Sequence, residues 1–287
     1  IFCKERNRIK SLKLIFLQMR PTQYLSLLLL ASILFSCSKV PLTGRSQLSI
    51  ANSQDIQNQS AKAYKDFLSD PKTKVIADSP DAKRIKDIGM RLTNAITQYM
   101  KTSGYGDKYS FSYEFNLIES KEINAWCMPG GKVAVYTGIL PITKDDYGLA
   151  TVMGHEIGHA IAKHTDERYS HTMLVQAGGG VLGVATSGQS AASQQVLGQL
   201  YGFGGQIALL KYSRNQESEA DKLGLIFMAM AGYDPNKSVE FWQRMSAASK
   251  QGGNKPPEFL STHPSDETRI GQIQRYLPEA LKYYSGK

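Results

Sequence analysis

The stretch VMGHEIGHAIAKH at 152–164 places three histidines and one glutamate within thirteen residues. Residues four apart in an α-helix differ by about 40° around the axis, so His155 and His159 share a face and can reach one metal ion. Glu156 lies about 100° from His155, where its carboxylate can contact a water on the metal without being a ligand. His164 lies about 140° beyond His159, so we expect it to point elsewhere.

The residues around this motif support a buried helix. Six of these residues are uncharged, as a buried metal-bearing helix requires: Val152, Met153, Ile157, Gly158, Ala160 and Ile161. A histidine pair that is only hydrogen-bonded within the core is the alternative interpretation. The H-E-x-x-H spacing favours Zn²⁺, one ion per chain, on a helix that we predict from Thr143 to about Tyr169.

Catalytic zinc uses three protein ligands and a water, so two histidines leave one ligand to find. A metzincin would supply a histidine six residues after His159, but that position is Thr165. The stretch 212–224 offers Glu217, Glu219 and Asp221 instead. Glu217 and Asp221 share a helix face, so one can bind metal while the other accepts a hydrogen bond from a ligand histidine. We expect Glu219 to face away, and a solvated acidic patch is the alternative for all three.

With these residues the sequence resembles the gluzincin metalloproteases of the HtpX and CAAX prenyl protease type, peptidase family forty-eight of the metallo class. The resemblance covers most of residues 38–275. Four stretches carry it, HEIGH at 155–159, ESEAD at 217–221, NAWCMPGGKVAVYTGIL at 124–140 and STHPSDETRI at 261–270.

The resemblance implies a set of roles around one zinc ion. His155, His159 and Glu217 would bind the metal. Glu156 would be the general base, and Asp221 would orient His155.

Two later residues also receive roles from the resemblance. It implies that His263 lies near the zinc, either as an oxyanion stabiliser or as an inhibitory extra ligand, and that Arg269 pairs with an acid in or behind the site. The chain lacks the long apolar spans of the integral-membrane members, so it resembles an exported lipoprotein branch.

The N-terminal region has the composition of a signal peptide. Basic residues precede an apolar run at 24–35 of about a dozen residues, short of the roughly 18 needed to span a bilayer. We therefore expect 1–36 to be a cleaved signal peptide, of which 1–18 would be an upstream mis-start. The stretch LFSC at 34–37 resembles a lipobox, which predicts acylation of Cys37; a differently cleaved or uncleaved secretory signal is the alternative.

Charge and cysteine content limit the functional classes. Removing residues 1–36 takes away six basic residues and one acid, which lowers the net charge from +9 to +4. We therefore expect no nucleic-acid partner. Cys3 lies in the removable part and Cys37 would carry lipid, so Cys127 remains as a lone thiol, and we predict a packing role for it rather than a redox role.

The hydrophobic pattern predicts an α+β, mainly helical domain at 58–287 with a small β-sheet beside the H-E-x-x-H helix, and the resemblance implies that this domain is a zincin-type metalloprotease. Residues 37–57 are polar and predict a lipid-anchored tether, and the glycine-rich 174–205 predicts a loop that could gate the site. Besides the metal helix, the pattern predicts a strand at 108–120, a strand pair at 123–140, and helices at 55–69, 80–101, 214–231, 236–250 and 266–284.

We expect a zinc endopeptidase of the cell envelope that cleaves misfolded or misassembled proteins, as a lipoprotein of the outer membrane facing the periplasm. Substrate would add as a strand along the edge at 124–128 or 132–137, where Asn124, Ala125 and Trp126 would contact it. A chaperone or assembly factor that holds clients on the same edge is one alternative. A zinc hydrolase acting on cell-wall peptides is another.

Overall fold

The computed structural model describes residues 37–180, 212–251, 259–260, 263 and 267–286. The predicted signal peptide at 1–36 lies outside these ranges, and so does the part of the predicted gating loop at 181–205. The late motif at 261–270 is described only at His263 and from residue 267 onward.

Within these ranges the chain is mainly helical with small sheets, as predicted. The strands are β1 (Cys37–Lys39), β2 (Ser46–Leu48), β3 (Val75–Ile76), β4 (Glu114–Ile118), β5 (Ala125–Met128) and β6 (Lys132–Tyr136). The helices are α1 (Ser53–Ser69), α2 (Pro80–Thr102), α3 (Leu140–Thr143), α4 (Asp146–Ile161), α5 (His164–Gly180), α6 (Arg214–Met230), α7 (Lys237–Gln251) and α8 (Glu267–Ala280). Short 3₁₀ turns lie at Gly106–Lys108, Thr137–Ile139 and Leu281–Tyr283.

Side-chain caps define where the long helices begin. The Ser79 side chain accepts a hydrogen bond from the amide of Ala82 at the start of α2, and Asp145 accepts one from the amide of Gly148 at the start of α4. Ser213 forms a reciprocal capping box with Gln216 at the start of α6. These caps satisfy amides that have no partner within the helix. Because the capping residues are visible in the sequence, the predicted helices begin within a few residues of the observed ones.

The main sheet has the strand order β3-β4-β6-β5. The predicted strand pair is confirmed, because β5 and β6 are antiparallel with Ala125 opposite Val135. Gly130 and Gly131 close this hairpin with φ values of 84° and 88°, which glycine adopts without steric cost. The strand predicted from residue 108 begins only at Glu114, because its parallel partner β6 begins opposite it.

The prediction of one helix from 143 to 169 is wrong, because the helix breaks after α4. Ala162 ends α4, and Lys163 adopts a left-handed φ of 53° before α5 begins at His164. Neither glycine nor proline marks this break in the sequence. As a result, α5 is a separate helix, and His164 is its first residue.

The interpretation of 37–57 as a tether is also wrong for its structure. Strands β1 and β2 form a two-stranded antiparallel hairpin, and α1 begins before the predicted tether ends. The Arg45 side chain holds this hairpin against the domain through ion pairs with Glu167 of α5 and Glu219 of α6. The composition of this segment did not predict its order, because the acids that pair with Arg45 lie in distant parts of the sequence.

The helix α4 is the centre of the fold, since every residue from Gly148 to Ile161 is buried. It packs against α6 at a distance that only small residues allow. A Cβ atom added at Gly224 would lie 2.8 Å from the backbone nitrogen of His155, and one added at Gly158 would lie 2.9 Å from the carbonyl oxygen of Ala220. These glycines allow α4, which carries the histidines, to lie close to α6, which carries the carboxylates.

No helix in the described part of the chain is long and apolar enough to cross a membrane.

Candidate active site

The residues predicted to bind metal converge where α4 and α6 meet. The Nε2 atoms of His155 and His159 lie 3.1 Å apart, and Oε1 of Glu217 lies 3.4 Å from Nε2 of His159. His263 joins them, and the four side chains offer ligand atoms that all lie within 4.8 Å of one another. All four side chains are buried.

These residues fit a zinc ion. Tetrahedral zinc with bonds of 2.0–2.1 Å to nitrogen requires ligand atoms about 3.3 Å apart, which matches the separations between the two histidines and Glu217. Oε2 of Glu217 is buried and pairs with the Arg269 guanidinium at 3.2 Å, which leaves Oε1 facing His159. Two buried histidines and a buried carboxylate with converging ligand atoms are the donor set that zinc uses, so the chemistry and its geometry favour a metal.

His263 lies beside the three predicted metal ligands. Its Nδ1 lies 2.8 Å from Oε1 of Glu217 and 3.2 Å from Nε2 of His155. Burial alone would lower the pKa of His263, but the nearby carboxylates of Glu217 and Glu156 outweigh it and raise the pKa above its ordinary value. His263 therefore lies close enough to the predicted ligands to share a metal ion with them when its ring is neutral.

Asp221 and Arg269 lie behind His155. Oδ1 of Asp221 lies 2.9 Å from Nδ1 of His155, and Arg269 donates to both oxygens of Asp221, at 2.8 Å and 2.7 Å. The guanidinium also lies 3.2 Å from Oε2 of Glu217 and stacks 3.6 Å above the ring of Trp242. Arg269 therefore ties the two α6 carboxylates together from the side of α8.

Glu156 lies in the same cavity with one oxygen unused. Its Oε1 lies 3.6 Å from Nε2 of His263 and has no hydrogen-bond donor among the residues described. Burial raises the pKa of Glu156 to about 7, although the hydrogen bond from the backbone of Cys127 opposes this shift. A carboxylate with a pKa near neutrality can both accept and release a proton at physiological pH.

Strand β5 brings the predicted substrate-binding residues to the side of α4. It is the edge strand of the main sheet, whereas β6 lies between β4 and β5. The alternative that substrate pairs with 132–137 is therefore wrong, because both sides of β6 are already paired. The Trp126 side chain packs edge to face against Tyr64 and Phe67 of α1, which holds it against that helix.

Cys127 of β5 is buried, and burial raises the pKa of its thiol well above its ordinary value. A neutral, enclosed thiol agrees with the predicted packing role.

Two residues that we expected to point away from the site lie directly behind it. Nδ1 of His164 lies 2.8 Å from Nδ1 of His159, and Nε2 of His164 lies 2.9 Å from Oε2 of Glu219. The expectation for His164 failed because it assumed a continuous helix through Lys163. The expectation for Glu219 failed because α6 is buried on more than one face.

Arg45, Thr43 and Tyr212 carry no sequence signal that would have identified them. Thr43 and Arg45 both donate hydrogen bonds to Glu219 from the N-terminal hairpin. The Tyr212 ring stacks on His159 with centroids 3.9 Å apart. Their contacts join residues far apart in the chain, which residue spacing does not encode.

Comparison with known proteins agrees with this site. Residues 88–277 match the model of peptidase family M48, which is more than half of the chain. The chain is similar to the mitochondrial metalloendopeptidase OMA1 of Schizosaccharomyces pombe, with 34% identity over 242 residues that cover 84% of this chain and 66% of the relative. It is also similar to the mitochondrial metalloendopeptidase OMA1 of Bos taurus, with 32% identity over 84% of this chain and 46% of the relative.

A bacterial relative is similar over a shorter range. The putative beta-barrel assembly-enhancing protease of Vibrio cholerae is 32% identical over 167 residues, which cover 55% of this chain and 33% of that protein. The chain therefore spans 33% to 66% of the length of these three relatives.

The comparisons correct two expectations. The relatives are OMA1 and beta-barrel assembly-enhancing proteases, so the resemblance holds for the family but not specifically for the HtpX and CAAX type. The predicted location as an outer-membrane lipoprotein facing the periplasm is wrong, because the relatives that match 84% of the chain are mitochondrial metalloendopeptidases.

The family match, the names of the relatives and the buried cluster of histidines and carboxylates all support the predicted class of enzyme, a metalloendopeptidase. The chain belongs to peptidase family M48.

Proposed function

We propose that the chain is a zinc-dependent endopeptidase in which His155, His159 and Glu217 bind the metal. One observation carries the proposal: the Nε2 atoms of the two histidines lie 3.1 Å apart, and each lies 3.4–3.6 Å from a carboxylate oxygen of Glu217, in a buried cluster that also holds Glu156. The residue types support the same assignment, because two histidines and a carboxylate are a ligand set that catalytic zinc uses.

Zinc in this position supplies a Lewis acid that polarises a peptide carbonyl and makes water acidic enough to attack it near neutral pH. Glu156 takes the proton of the attacking water and passes it to the leaving amine. Its burial suits it to both tasks, because a pKa of about 7 allows proton uptake and release at physiological pH. The backbone hydrogen bond from Cys127 holds the Glu156 carboxylate beside β5.

We infer that the resting site is closed by His263. A catalytic zinc keeps one position for water, and Nδ1 of His263 lies close enough to His155 and Glu217, at 3.2 Å and 2.8 Å, that it would compete for that position. Of the two roles that the resemblance implied, this geometry favours the inhibitory ligand. Cleavage then requires His263 to leave the cavity.

The outer edge of β5, which pairs with no other strand among the described residues, is the proposed substrate site. A peptide added there would form backbone hydrogen bonds that depend little on its side chains, which suits unfolded chains. Oδ1 of Asn124 supports this proposal, because it is buried and has no donor in the described part of the protein. Asn124 would contact substrate through its side chain, and Ala125 and Trp126 through their backbones.

Misfolded or misassembled proteins are the proposed substrates. The name of the Vibrio cholerae relative links that protein to beta-barrel assembly, and an unfolded protein can supply an extended segment that pairs with the outer edge of β5. A membrane anchor on Cys37 stays a prediction from the sequence.

The test compares the full chain with its Glu156→Gln variant. Zinc content is measured by metal analysis, and cleavage is followed with an unfolded protein such as reduced casein. We expect about one zinc per chain in both proteins and a loss of cleavage of about 10²–10⁴-fold in the variant. Zinc-free native protein would show that the ligand assignment is wrong. Bound zinc with equal activity in both proteins would remove Glu156 as general base.

A further inference from the structure

A line of buried polar side chains runs from His159 away from the metal cavity. His159 contacts His164 through the two Nδ1 atoms at 2.8 Å, and His164 contacts Oε2 of Glu219 at 2.9 Å. The His164 side chain is fully buried, and Glu219 is 7% exposed. His155 contacts the carboxylate of Asp221 directly. His159, by contrast, is connected to the carboxylate of Glu219 through the ring of His164.

The chemistry of these groups sets the direction of every hydrogen bond. Glu219 is ion-paired with Arg45, and an ionised carboxylate only accepts, so Nε2 of His164 must be the donor. A neutral His164 that donates through Nε2 has a lone pair on Nδ1. His159 therefore donates through its own Nδ1, which leaves the lone pair of its Nε2 for a metal ion.

The N-terminal hairpin keeps Glu219 in place. Arg45 donates from Nε to Oε2 of Glu219 at 2.6 Å, and Thr43 donates to Oε1 of the same carboxylate. The other nitrogens of Arg45 bond both oxygens of Glu167 at 2.7 Å and 3.0 Å. The hairpin precedes residues 88–277, which match the family, so this part of the arrangement belongs to a segment outside the matched region.

We propose that His164 is a positioning residue for the metal ligand His159, and that Glu219 and the hairpin residue Arg45 hold His164 in the orientation that this task requires. The proposal rests on the zinc assignment made above for His159. It extends that assignment by making the N-terminal hairpin part of the support of the metal site. Metal affinity would then depend on residues that never contact the metal.

The experiment measures the zinc dissociation constant of the full chain by competition with a chromophoric chelator. His164→Leu removes both ring nitrogens and should weaken zinc binding by about 10- to 100-fold, the usual cost of losing the partner of a ligand histidine. His164→Gln retains one acceptor and one donor and should restore most of the affinity. Arg45→Gln should weaken binding by about tenfold.

Arg84→Gln is the matched control. Arg84 also pairs with an acid of a core element, with Nε 2.6 Å from Asp146, but at the opposite end of α4 from the metal ligands. Zinc affinity should change by less than about twofold in this variant, as for an exposed ion pair. Urea unfolding of each metal-free variant separates a loss of affinity from a loss of fold.

The outcomes distinguish the two proposals. If the native protein binds no zinc, the proposed function is wrong. If native protein binds zinc and a folded His164→Leu variant binds it equally well, His164 does not position His159. Should His164→Leu fail to fold, Arg45→Gln decides, because Arg45 is partly exposed at the outer end of the line; native affinity in that variant would overturn the proposal.

Discussion

His155 and Asp221 share a buried contact of 2.9 Å between Nδ1 of the ring and a carboxylate oxygen. The contact lies on the ring side opposite Nε2, the atom that faces His159. Asp221 can hold the ring because Arg269 in turn holds both of its oxygens. Residues that contact no metal therefore set the direction in which His155 presents its lone pair.

This contact predicts how Asp221→Asn behaves. The amide keeps the size of the side chain but loses the charge that favours an Nδ1–H donor on His155, so zinc should bind about tenfold more weakly. Chelator competition with the full chain measures the effect. Undiminished affinity would mean that packing against Trp242 and Phe259 is enough to orient the ring.

Removing His263 should activate the enzyme. In His263→Ala the proposed fourth ligand is absent, so water and substrate have access to the metal in every molecule. We expect cleavage of an unfolded protein to rise by about tenfold, which corresponds to a bias of about 1.4 kcal/mol toward the closed form in the native chain. Activity assays at equal zinc content test this, and a fall in activity would instead assign His263 to oxyanion stabilisation.

Glu156 makes the stability of the metal-free protein depend on pH. Burial raises its pKa from 4.5 to about 7, so the folded state binds this proton more tightly than the unfolded state does. The stabilisation is complete below about pH 4.5 and is lost as the pH rises through about 7. The native protein should therefore lose this stabilisation between pH 5 and pH 8, whereas Glu156→Gln has no such carboxyl to titrate. The free energy of unfolding of the variant minus that of the native protein should rise by about 2–3 kcal/mol over this range.

Urea unfolding of chelator-treated protein at the two pH values measures this difference. Because both proteins share every other titrating group, subtraction removes most of their contributions. A difference that is the same at pH 5 and pH 8 would show that the Glu156 carboxyl is not desolvated in the folded protein.

The contact between α4 and α6 should be intolerant of one added methyl group. In Gly224→Ala the new Cβ would meet the backbone nitrogen of His155 at 2.8 Å, and backbone atoms cannot move aside without separating the helices. We expect a loss of about 1–3 kcal/mol in the free energy of unfolding, together with weaker zinc binding.

Gly271→Ala in α8 is the control, since a Cβ atom there would meet nothing within 4 Å. An alanine in an open helix position should stabilise the protein by about 0.5–1 kcal/mol. Thermal unfolding of the two variants compares them directly. Equal and positive shifts would contradict the close approach of the helices at Gly224.

The sequence alone was sufficient for the parts of the site that depend on helical spacing. His155 and His159 share one face of α4, and Glu217 and Asp221 share one face of α6, because residues four apart are always neighbours on a helix. The hairpin of β5 and β6 could also be predicted from the sequence, because Pro129-Gly130-Gly131 is a strong local turn signal.

Only the tertiary structure determined what lies behind the metal ligands. Lys163 breaks the helix with a positive φ that no glycine announces, and this brings His164 back to His159. Arg45 reaches Glu219 across 174 positions of sequence. Local spacing sets which side chains share a face, but which faces meet depends on how the whole chain packs, and that information is spread over residues far apart in the sequence.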